Sequence, residues 1–181
     1  MATAGQGTQP DDRRHVLVAG VGNVLRGDDG FGIAVVQQLA QRADLPPTVK
    51  VVEVGIGGIS LVHELLDGYD VLLIVDAVDR GGTPGTIYLV EPEVPDLAQW
   101  PFEQRQDFLA DMHMTTPARA LILARALGVF PPAVYLLGCQ PTTCDDLIIG
   151  LSAPVERAVA ASVERLVSEI RRLTGVPACD H

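Results

Sequence analysis

Basic residues are scarce in this chain, cysteines are few, and no long apolar run occurs. The 13 Lys and Arg stand against 23 Asp and Glu, a formal net charge of −10. A chain so acidic repels a phosphate backbone, which excludes nucleic acid as a partner. Cys139, Cys144 and Cys179 match no zinc-ligand spacing. They read as small buried or idle thiols, with no structural disulfide in a reducing cytosol. No stretch approaches the roughly 18 consecutive apolar residues of a membrane span, and Met1 to Arg14 lacks the apolar centre of a signal peptide. The expectation is a cytoplasmic protein with no membrane association. Two motifs are missing as well. Gly20-Val21-Gly22 opens a dinucleotide fingerprint, but Leu25 stands where its third glycine belongs. No serine lies in a nucleophile-elbow sequence, and neither Cys139 nor Cys144 has an evident base, so Ser–His–Asp and Cys–His chemistry lack a candidate.

What the chain does have is 181 residues, 48% of them hydrophobic, enough for one substantial core and too few for two comfortable domains. The expected layout is a disordered leader over 1–14, one domain over 15–175 and a short tail over 176–181. Residues 16–32 organise the rest. Val16 to Ala19 reads as a strand covered on both faces; a glycine-rich bend follows, then Asp28 and Asp29, then a helical apolar pattern from Ile33. Two acids thus stand at a strand-to-helix crevice, where open α/β sheets bind their ligands. Acids there suit a cation or a proton, not a pyrophosphate. Asp28 is expected to order the loop or cap the helix rather than to take part in catalysis.

Further along, Val49 to Val54 reads as a second strand with Glu53 at its edge, followed by a glycine-rich loop and a helix through Leu61, Leu65 and Leu66. Val71 to Val75 is the most apolar run, hence the central strand, and it ends in Asp76. An unpaired carboxylate is costly to bury, so Asp76 needs a partner or a function. Thr86 to Val90 follows too soon for a crossover helix, which makes it antiparallel to its predecessor and the sheet mixed. Residues 91–112 show no clear period and read as a long loop, a lid or a partner-binding segment. His113 precedes a helix that starts at Thr115 or Thr116 with Pro117 and stops at Gly128. Val134 to Leu137 is another strand. Ser152 with Pro154 opens a last helix, whose stripe of Val155, Val159, Val163, Leu166, Ile170 and Leu173 ends before Gly175.

Five pieces of this sequence resemble, in the same order, the motifs of the nickel–iron hydrogenase maturation endopeptidases. They are Gly22-Asn23-x4-Asp28-Asp29-Gly30-x-Gly32, Asp76-Ala77, Pro84-Gly85-Thr86, Met112-His113 and Gly138-x-Gln140-Pro141, and the likeness covers about residues 15–172. The resemblance implies a three-layer α/β/α domain of the phosphorylase/hydrolase-like type, with a small, mostly parallel sheet and one antiparallel strand. It implies an endopeptidase that removes the C-terminal extension of the hydrogenase large-subunit precursor after nickel insertion.

Carried over residue by residue, the family's metal-contacting positions fall on Asp29, Asp76 and His113, and Asp29 and Asp76 become the catalytic candidates. Nickel is then carried by the substrate precursor rather than held permanently. Elementary chemistry agrees. Two carboxylates and an imidazole make an open site for a borderline ion such as nickel or zinc, with positions left for substrate atoms. A monomer suits an enzyme that docks on a large precursor. A non-catalytic nickel-binding hydrogenase assembly factor would use the same three ligands, and a nucleotide-binding enzyme is a third reading that the broken fingerprint disfavours.

Overall fold

The computed structural model describes residues 14–110, 116–144 and 147–175. The expected leader, apart from Arg14, lies outside these residues, as do the tail and His113. Five strands form one sheet: β1 (Val16–Val21), β2 (Val49–Gly55), β3 (Val71–Ala77), β4 (Ile87–Val90) and β5 (Ala133–Cys139). Their order is β2-β1-β3-β5-β4, with β2, β1, β3 and β5 parallel and β4 antiparallel to β5. The two most continuous apolar runs, β1 and β3, lie side by side at the centre, as strands covered on both faces must.

Alternation along those strands builds two cores. Val16, Val18, Val71, Leu73 and Val75 meet α1 (Phe31–Ala40) and α5 (Ala153–Thr174). Leu17, Ala19, Leu72 and Ile74 meet α2 (Gly58–Leu65) and α4 (Pro117–Ala126). The result is the expected three-layer α/β/α arrangement. Thr116 caps α4, its side chain accepting from the Arg119 N–H at 3.4 Å, with Pro117 in the first turn. In α5 the predicted stripe faces inward, with Val159 the only member not fully buried. Among the described residues no helix is long and apolar enough to cross a membrane.

Two expectations need correction. β4 is antiparallel, but it lies beside β5 and not beside its predecessor β3. Both sides of β3 are already taken by β1 and β5, so the connection over residues 78–86 has to cross the end of β5. It is tied there by Val78 N–H to Cys139 O at 2.9 Å and Gly85 N–H to Gln140 O at 2.8 Å. The segment 91–112 is also less irregular than its sequence suggests, since it holds α3 (Phe102–Ala110). Its charged residues are spread around the helix, which leaves no apolar stripe to read. Ring contacts hold it instead: Trp100 meets the Phe108 ring edge-on at 5.6 Å, and the Arg119 guanidinium sits 4.5 Å over Phe108.

Candidate active site

The carboxyl-terminal edge of the parallel strands gathers the acids. β1 is followed at once by Gly22, which has φ of +126°, and a Cβ there would lie 1.8 Å from the carbonyl oxygen of Asp29. Only glycine lets the chain pass so close. The same economy of side chain seats α1, because a Cβ on Gly32 would meet the carbonyl oxygens of Val21 and Val75 at 2.2 Å each. The start of α1 therefore rests directly on the ends of β1 and β3. Between strand and helix, Gly27–Gly30 makes a 3-10 turn that carries Asp28 and Asp29.

These two neighbours have different partners. Asp28 is 2% exposed, and its carboxylate accepts from Thr142 N–H at 2.7 Å, Ser152 N–H at 2.6 Å and the Ser152 hydroxyl at 2.8 Å. Burial alone would raise its pKa, but the hydrogen bonds from Ser152 and Thr142 together prevail and hold it below the usual carboxylate value. The expectation that Asp28 orders the loop is met. It does not cap α1, whose cap position is Gly30 and carries no side-chain cap bond. Asp29 is half-buried and accepts from the Asn23 N–H at 2.9 Å.

Asp76 stands opposite Gly138 near the end of β3. Following Leu72 and Ile74 in the alternation, it falls on the α2 and α4 side of the sheet. Burial pushes its carboxyl up to about 7, and the negative charge of Asp29 adds to that rise. Two of the three expected site residues are thus brought together. His113 lies outside the described residues. The helix that follows it, α4, begins at the same edge, because β5 starts beside Asp70 at the opposite one, with Ala133 N–H donating to Asp70 O at 3.2 Å. Among the described residues no group of three His, Cys, Asp or Glu side chains placed to hold a metal ion occurs.

Glu53 lines an open groove of about 350 Å3 with Gly22, Asn23, Val24 and Ile56, next to Asp29. Cys139 is buried and its thiol is pushed up to about 11, by burial first and by the Asp28 charge second. That makes it a poor nucleophile, as expected. The rim of this site is apolar, which the motifs do not show. Seven of the ten large apolar side chains exposed among the described residues flank this edge: Val24, Leu25, Ile56, Ile59, Leu147, Ile148 and Ile149. An isolated exposed leucine means little, but a cluster beside a polar site marks a contact surface. The run Leu147-Ile148-Ile149 in a loop is the signal that could have found it.

The sequence model of the family described as hydrogenase maturation protease matches residues 33–169, well over half of the chain. The chain belongs to that family. HoxM, a hydrogenase expression/formation protein of Cupriavidus necator, is 35% identical over 167 residues, covering 90% of this chain and 77% of that protein. HupD, of the same description, from Bradyrhizobium diazoefficiens is 34% identical, covering 87% and 78%. Among solved structures, the hydrogenase maturating endopeptidase HybD of Escherichia coli superposes with a TM-score of 0.69 at 31% identity, over 87% of this chain and 93% of that one. As a hydrogenase maturation protease, the chain is a peptide-bond hydrolase.

Proposed function

We propose that this protease removes the C-terminal extension of a nickel–iron hydrogenase large-subunit precursor once nickel has been inserted, and that Asp29, Asp76 and His113 recognise that nickel. The observation that carries the reading is the pair Asp29 and Asp76, two acids from different elements held close enough to repel. Such a pair is relieved by a cation or a proton. The nickel belongs to the substrate, so the enzyme at rest needs no resident metal. With the substrate's metal at the pair, the scissile carbonyl lies beside Asp29 or Asp76, and one of them takes the proton of the attacking water. That makes the chemistry of aspartic type.

The apolar rim supports a protein substrate. Leu147 is 89% and Ile149 84% exposed, an arrangement that gains from contact with another apolar surface. The enzyme is taken to act as a cytoplasmic monomer. The test is a maturation assay in which the enzyme meets its precursor with and without nickel, beside Asp29→Asn, Asp76→Asn and His113→Ala. Trimming seen by mass only with nickel, and lost in the three variants, is the expected result. Trimming that ignores nickel and survives all three changes would refute it.

A further inference from the structure

We propose that Asp28 is the positioning residue of this site: its buried carboxylate fixes the turn that carries Asp29 to the exit of β5 and to the residue that opens α5. The inference rests on the reading that Asp29 acts at the site. Three donors converge on Asp28 from two separate places, Thr142 just past β5 and Ser152 just before α5, at 2.6 to 2.8 Å. Ser152 occupies the cap position of α5 yet makes no side-chain cap bond there. Its hydroxyl goes to Asp28 instead, giving up a contact that a serine at this place ordinarily makes.

A carboxylate filled in this way and 2% exposed has no route to a substrate. What it does have is a covalent tie to Asp29. Consecutive Cα atoms are about 3.8 Å apart, so a shift of one residue is passed on to the next. Two further bonds close the turn. Gly27 N–H donates to Ile148 O at 2.6 Å, and Asp29 N–H to Arg26 O at 3.2 Å. Asp29 keeps its own carboxylate toward Asn23, so the adjacent acids divide the work between holding and acting.

The test compares Asp28→Asn and Ser152→Ala with Leu166→Ala, a core truncation in α5 that lowers stability without touching the turn. Asp29→Asn runs alongside. The readouts are Ni(II) affinity of the isolated protein by calorimetry and kcat/KM on nickel-loaded precursor. Asp28→Asn is expected to lose about 10- to 100-fold in both, the usual effect of removing support behind a metal-contacting residue. Ser152→Ala, which keeps the backbone donor, follows with a smaller loss in both. Leu166→Ala leaves both nearly unchanged at a temperature where it is folded. The double variant Asp28→Asn/Ser152→Ala is no worse than Asp28→Asn, since the two share one network. If Asp28→Asn behaves like Leu166→Ala while Asp29→Asn is inactive, the positioning role falls alone. Loss of kcat in Asp28→Asn with Ni(II) affinity intact would also overturn it, making Asp28 catalytic. If Asp29→Asn trims normally, the site reading falls and takes this proposal with it.

Discussion

Asp76 lies where burial pushes its carboxyl up to about 7, and the charge of Asp29, reaching it across the join between α1 and the sheet, adds to that rise. The folded protein therefore binds this proton more tightly than the unfolded chain, where Asp titrates near about 3.9. Stability contributed by the neutral form is present at low pH and is lost as pH rises from about 4 through about 7. An asparagine carries no such cost. Asp76→Asn is expected to raise the melting temperature at pH 8 by roughly 3–6 °C, with chelator present, while trimming is abolished. At pH 4 the difference should vanish. Thermal denaturation at the two pH values checks the sign, and a variant less stable at pH 8 contradicts it.

Gly32→Ala tests how the acids are brought together. The new methyl would stand 2.2 Å from two carbonyl oxygens, Val21 and Val75, and neither is a flexible side chain that can turn aside. The start of α1 must lift from the sheet, and the Asp29 turn with it. A loss of more than about 3 kcal/mol in urea denaturation is expected, together with loss of trimming. Gly82→Ala is the control, since only the Gln140 side chain lies near it, at 3.7 Å.

Asp76 and Asp29 also show what the sequence could tell. Asp76 was legible because an acid that ends the most apolar strand has to be explained, and Asp29 because it follows a strand and a glycine-rich bend. The parallel core strands followed from Val16 to Ala19 and Val71 to Val75, which are apolar on both faces. The place of β4 did not follow. Its antiparallel direction came from a short connection, but its neighbour was fixed by Gln140 and the crossing loop, a long-range choice that no local pattern carries. The partners of Asp28 were hidden likewise, because Thr142 and Ser152 meet it only after β5 and α5 are in position.

Gln140 is the clamp on that crossing loop. Its side-chain oxygen accepts from Arg80 N–H at 2.8 Å and Gly82 N–H at 3.1 Å, and its nitrogen donates to Asp79 at 2.7 Å. Truncation leaves amide donors without their acceptor in a part-buried place, worth about 1–3 kcal/mol. Gln140→Ala should lower stability by that amount and speed hydrogen exchange at Arg80 and Gly82, with the amides of β1 unaffected. Unchanged exchange at those two positions would mean that the loop is held by other bonds.

The apolar rim separates binding from chemistry. Leu147 and Ile149 are so exposed that replacing either by serine removes almost no buried area from the folded chain, and the melting temperature should stay within about 1 °C. On a precursor the same side chains have area to bury, and each is worth about 1.5–3 kcal/mol at full burial. Leu147→Ser and Ile149→Ser should therefore raise KM for nickel-loaded precursor by about tenfold each while leaving kcat near wild type, the pattern of lost uniform binding. A fall in kcat with KM unchanged would move these residues from docking to the chemical step. No change in either would leave the apolar cluster without a part in substrate recognition, and the groove beside Glu53 would then have to carry it.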